Sequence, residues 1–168
     1  MVMTYPTPDP VGPGQESVWS YPRPPRVVPS ARLVVVRFGG ALICETRSAM
    51  RLLETSHPPT WYLPRADFTP GALQPASGSS FCEWKGSASY LDVVGGGGRT
   101  ARAQAWTYLK PTPDFAMLTD HVALYAAAMD GCFVDGERVT PQPGGFYGGW
   151  ITRDVVGPFK GIPGSSGW

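Results

Sequence analysis

Apolar and polar positions alternate in short stretches along most of this chain, and glycine or proline closes each stretch. Residues 32–38 form a β-branched run, Gly39-Gly40 can take the positive φ angles of a tight hairpin, and residues 41–45 return. Further strands are predicted at 60–63, 73–74, 80–85, 88–94 and 99–109, the last three as an antiparallel meander turning at 95–98. Pro111 and Pro113 break the chain, and Asp114 is placed to cap one helical turn through Leu118. Residues 121–126 and 131–135 read as strands, with Asp135-Gly136 turning into 138–139. Ala49, Met50, Leu52 and Leu53 have near-helical spacing, so residues 47–55 are predicted as a short helix with Thr46 as N-cap and Pro58-Pro59 as stop. One short helix against about nine strands is mainly β, and turn signals about every ten residues point to two packed antiparallel sheets.

The N-terminus departs from this alternation. Residues 1–14 are proline-rich and polar, which predicts a disordered leader before a single β domain at 15–168. Residues 16–30 combine Val18, Trp19 and Tyr21 with Pro22, Pro24, Pro25 and Pro29. Such proline density forbids helix and central strand, while the aromatics favour burial. The segment is expected to be an ordered strap without regular structure, laid over the domain or a partner subunit.

Composition narrows the function classes. Aromatic residues make up 12% of the 168 residues and charged ones 16%, below the usual share of about a quarter, so the core is expected to be aromatic-rich. A formal net charge of +1 and the absence of any basic run exclude nucleic acid as an expected partner. The longest apolar stretch, 122–129, is too short to span a bilayer, and no secretory signal opens the chain, so no membrane partner is expected. Cys44, Cys82 and Cys132 lack metal-knuckle spacing, which points to no metal, no cofactor and a reducing, cytoplasmic setting. Low charge, β edges and a glycine-rich tail predict a homodimer.

Several blocks carry possible chemistry. Glu54 could orient His57 as a general base, with Ser56 between them, or His57 could simply cap a helix end. On a strand, Cys82 and Trp84 would share one face and Glu83 and Lys85 the other. That makes Trp84 a packed ring, Lys85 an anion contact, and Cys82 a thiolate if a cation lowers its pKa. Trp61, Tyr62, Tyr90, Trp106 and Tyr108 form either core or a partly open cage for a flat or cationic ligand, with Tyr62, Tyr90 and Trp106 as the preferred members. The glycines at 144–149 allow close backbone approach to a ligand or subunit. Cys44, Cys132 and His121 read as structural. A ligand-binding pocket is therefore expected where the turn at His57 meets the meander, built from Glu54, His57, Tyr62, Lys85, Tyr90 and Trp106. Truncating Trp84 is expected to cost more stability than truncating Tyr62 or Trp106.

Glu54-Thr55-Ser56-His57-Pro58-Pro59, Cys82-Glu83-Trp84-Lys85-Gly86 and Gly144-Gly145-Phe146-Tyr147-Gly148-Gly149-Trp150, with Trp19-Ser20-Tyr21-Pro22-Arg23-Pro24-Pro25 and Phe133-Val134-Asp135-Gly136, resemble the domain-of-unknown-function family 427. The resemblance implies a mainly β, β-tent-like fold without an established activity. Relatives in that fold group include methionine sulfoxide reductase B and the thalidomide-binding domain of cereblon, and most pin two sheets with a four-cysteine zinc. This chain lacks those cysteines, so the resemblance implies pinning by packing around Cys82 and Trp84 and transfers no chemistry.

The expected function is a β domain that binds an unknown small molecule in an aromatic-lined pocket. Alternatives are a thiol redox enzyme using Cys82 and a structural homodimeric interaction module. A nucleotidyltransferase is disfavoured because no Asp-x-Asp metal site exists.

Overall fold

The computed structural model describes residues 4–82 and 84–168; residues 1–3 of the predicted leader and the predicted strand position of Glu83 lie outside it. The strands in chain order are β1 (Glu16–Ser17), β2 (Arg26–Ser30), β3 (Val34–Phe38), β4 (Ala41–Thr46), β5 (Ala49–Leu53), β6 (Thr60–Pro64), β7 (Leu73–Cys82) and β8 (Gly86–Val94). They continue as β9 (Thr100–Thr107), β10 (His121–Leu124), β11 (Gly131–Val134), β12 (Glu137–Arg138), β13 (Thr140–Pro141), β14 (Trp150–Ile151) and β15 (Val155–Val156). Seven strands make one sheet in the order β2-β5-β6-β10-β9-β8-β7, and four make a second in the order β12-β11-β3-β4. Every pairing within these two sheets is antiparallel.

The β3–β4 hairpin forms as its β-branched run and Gly39-Gly40 dictate, with a register shift between Val36 and Arg37. The predicted helix over 47–55 does not form: β5 pairs with both β2 and β6. Strand hydrogen bonds on both edges and apolar burial on both sides override the helix propensity of Ala, Met and Leu, and so short a helix gains little from nucleating alone. Among the described residues, the one helical segment longer than a single turn is the 3-10 stretch Pro113–Leu118. Thr112, not Asp114, holds its N-cap position, without a side-chain cap bond.

The strap at 16–30 is more regular than its prolines suggest. Glu16–Ser17 pairs in parallel with β15, Val18–Ser20 is a 3-10 turn, and β2 is an edge strand of the large sheet. Pro29 is tolerated because an edge strand has one side free of ladder bonds. Tyr21 is buried and Trp19 half-buried, its Nε1 donating to the Pro158 carbonyl at 2.9 Å. Residues 4–14 have no regular structure, although Asp9 N–H donates to the Gly157 carbonyl at 2.8 Å.

Strand alternation sorts side chains of the large sheet to two faces. Trp61 and Leu63 on β6, Leu91 and Val93 on β8, and Val122 and Leu124 on β10 pack against Val34, Val36 and Ile43 of the second sheet. Tyr62, Ala88, Trp106 and Ala123 point the other way and meet Phe115 and Leu118 of the 3-10 segment. Trp61 thus leaves the predicted aromatic cage and stacks on Trp150 inside the sandwich, with centroids 6.2 Å apart. Among the described residues, no helix is long and apolar enough to cross a membrane.

Candidate functional site

The outer face of the large sheet holds a cleft of about 440 Å³. Its floor comes from β6 and β9, where Tyr62 and Trp106 stand on strands separated by β10. Trp106 Nε1 donates to Tyr62 Oη at 3.3 Å, and burial pushes the Tyr62 hydroxyl pKa well up. The hydroxyl therefore stays protonated and remains a neutral acceptor for the indole. Tyr62 is 0% exposed and Trp106 9% exposed, so these two predicted cage members support the cleft from below rather than offering open ring faces. The half-buried rings of Tyr90, Trp84, Tyr125 and Tyr147 form the wall.

Each predicted site residue has a definite place. Glu54, His57, Tyr62, Lys85, Tyr90 and Trp106 all line this one cleft. His57 sits in the loop between β5 and β6, not at a helix end, and Ser56 before it takes a φ of 74°. Its Nε2 lies 3.4 Å from Glu54 Oε2, and its Nδ1 lies 3.0 Å from Gln142 Nε2. The Arg23 guanidinium reaches the same Glu54 oxygen at 3.4 Å. Burial raises the Glu54 pKa, but the neighbouring His57, Arg23 and Lys85 outweigh it and hold the carboxyl below its ordinary value.

The Cys82–Gly86 block is not a continuous strand. β7 ends at Cys82, and Trp84 and Lys85 lie in the turn to β8. Thr112 holds that turn, its Oγ1 donating to the Trp84 carbonyl and its N–H to the Lys85 carbonyl at 3.0 Å. The turn frees Trp84 and Lys85 from strand alternation. Both line the cleft, and Lys85 Nζ lies over the Tyr108 ring at 5.2 Å. Cys82 is in the same wall, so packing around Cys82 and Trp84 does not pin the sheets together. The sandwich core does, together with a bridge from Cys44 on β4 to Phe68.

Sequence reasoning missed Gln142 and Lys160, which also line the cleft. Gln142 stands in an isolated Pro-Gln-Pro context, with no spacing that ties it to His57 85 residues earlier. The expected close approach at 144–149 occurs within the chain. A Cβ on Gly148 would overlap the Trp106 ring, so glycine lets this loop lie flat over the floor. Phe146 of that loop and Phe81 of β7 stand at the cleft mouth, 74% and 76% exposed.

A larger hollow of about 550 Å³ lies beside Arg32, Asp135, Glu137, Arg153 and Asp154. Its charges pair among themselves, Arg32 with Asp135 at 3.1 Å and Asp154 at 3.0 Å, and Arg153 with Glu137 at 3.2 Å. It lacks the aromatic lining of the cleft and is the weaker candidate. Among the described residues, no group of three or more His, Cys, Asp or Glu is placed to hold a metal ion. Cys44 and Cys132 are buried free thiols, and burial pushes the Cys44 thiol up to about 12.

The family model described as a domain of unknown function (DUF427) matches residues 26–135. No curated protein matches the chain.

Proposed function

The chain belongs to domain-of-unknown-function family 427, and from its outer-face cleft we propose that it binds a small, flat molecule between the aromatic wall and the β5–β6 loop. One observation carries this reading: a locked floor of Tyr62 and Trp106 lies under rings of Trp84, Tyr90 and Tyr125 that keep part of their surface open. Ordinary core faces close over their aromatics, whereas binding sites leave amphipathic rings half covered beside a few polar groups.

Native mass spectrometry of the freshly purified full chain tests it, together with NMR of the chain against a library of flat-ring fragments. A retained small molecule, or fragments that shift the Trp84, Tyr90 and Tyr125 signals, is the expected result. Bare protein with no response at these residues would remove the reading.

Cys82 in the cleft wall favours a second reading, thiol chemistry at the same site. Among the three cysteines it alone is half-buried, so it supplies the thiol within reach of a cleft-bound substrate. Full retention of function in Cys82→Ser, once a ligand is known, would discard it. The homodimeric arrangement also stays a proposal. It draws on the exposed Phe81, Phe146 and Leu109, and light scattering at the mass of one 18.1 kDa chain would end it.

A further inference from the structure

We infer that Glu54 is the anchor of this cleft and that its ligand presents an N–H donor edge on a flat ring, as an arylamidine does; the inference rests on the cleft being a small-molecule site. It begins with Gln142. The Gln142 carboxamide oxygen accepts from Gly149 N–H at 3.0 Å, and its nitrogen donates to the Lys160 carbonyl at 2.9 Å. Turning the amide over would set donor against donor and acceptor against acceptor, so two backbone groups fix its orientation.

The same nitrogen faces His57 Nδ1 at 3.0 Å, so Nδ1 accepts and the imidazole proton sits on Nε2. Nε2 then lies 3.4 Å from Glu54 Oε2. With Nδ1 accepting and the proton on Nε2, His57 has no lone pair for the cleft. It is a strut that holds Glu54, not the general base that its spacing suggested.

Arg23 approaches the same Oε2 as His57, and among the described residues no hydrogen bond reaches Oε1. One carboxylate oxygen has partners, the other has none, and the residue lines the cleft. The held carboxyl stays ionised because His57, Arg23 and Lys85 together outweigh its burial. Two lysines also line the cleft, and each ammonium rests over an aromatic ring. Lys85 Nζ lies over Tyr108, and Lys160 Nζ lies over Tyr147 at 5.3 Å and donates to the Trp168 carbonyl at 3.1 Å. An anion would have to draw these groups off their rings, whereas an N–H donor meets an Oε1 without a hydrogen bond and lays its ring on the wall.

Benzamidine and benzoate share a shape and differ in sign of charge, so titrating the full chain with each, followed by NMR at Tyr90 and Tyr125, tests the inference. Benzamidine should bind, and Glu54→Gln should weaken it by about tenfold or more, the loss of one charge-assisted hydrogen bond. Should Glu54→Gln fail to fold, wild-type protein serves: benzamidine binding should fade only as pH falls through the depressed Glu54 range. Nitrogen-15 shifts of His57 should show the Nε2–H tautomer. Benzoate binding that is lost in Lys85→Ala would overturn the Glu54 anchor while leaving the cleft reading intact. Benzamidine binding indifferent to Glu54→Gln, a Nδ1–H tautomer, or no binding of either fragment would each overturn it. Silence across the wider fragment library as well would remove the cleft reading too.

Discussion

The two faces of the seven-stranded sheet use the same strands and end in opposite states. On β6, Trp61 and Leu63 enter the sandwich while Tyr62 faces the cleft; on β9, Ala105 and Trp106 divide the same way. A four-stranded sheet covers the inner face, so aliphatic side chains interdigitate and close it. The outer face has a shorter cover, chiefly the 3-10 segment Pro113–Leu118 and the glycine loop before β14. That cover does not reach across the sheet, and rings with polar tips tolerate the resulting half-wet boundary where valine would not. A sheet of this kind gains a site where its covering layer runs out.

Ring truncations break the comparison most strongly. Trp61→Ala opens a void in the closed sandwich and should cost about 3–5 kcal/mol. Tyr62→Ala and Trp106→Ala should follow at about 3 kcal/mol, because the cleft floor is packed like a core. Trp84→Ala should cost only about 1 kcal/mol, since that ring is half open to begin with. Urea melts rank the four. This order reverses the expectation from sequence that Trp84 would be the costly ring, and Trp84→Ala coming first would erase the distinction between floor and wall.

Gln142→Leu sharpens the polar side of the contrast. It strips partners from Gly149 N–H and His57 Nδ1, both buried, and should cost about 1–3 kcal/mol. Hydrogen exchange should quicken at Gly149 and stay slow in β3 and β4; uniform quickening would mean that the two faces do not act separately.

The Glu54 effect is smaller and depends on pH. Its folded pKa is depressed, so the carboxylate stabilises the fold above its unfolded pKa, and that contribution is lost as pH falls through the folded value. The stability gap between wild type and Glu54→Gln should be constant near neutral pH and shrink in acid. A gap that widens in acid would contradict the ion pairing. Tyr90→Phe should do least. It removes an exposed hydrogen bond from Tyr90 Oη to Ser80 Oγ at 3.0 Å and should change stability by no more than about 0.5 kcal/mol.

Local pattern by itself determined much of this protein. The β3–β4 hairpin, the meander and the Asp135-Gly136 turn were legible because glycine turns and period-2 alternation are short-range signals. Glu54, His57, Tyr62, Lys85, Tyr90 and Trp106 were also picked together from residue type and position, and they line one cleft. Tertiary structure decided what local pattern could not carry. Residues 47–55 suit either a helix or a strand, and only pairing with β2 and β6 selects the strand. Trp61 and Tyr62 are adjacent aromatics, and which one meets the second sheet depends on strand register. Gln142 meets His57 across 85 residues, a contact no local pattern could announce, because a hydrogen bond between distant loops exists only after the sheets have brought them together.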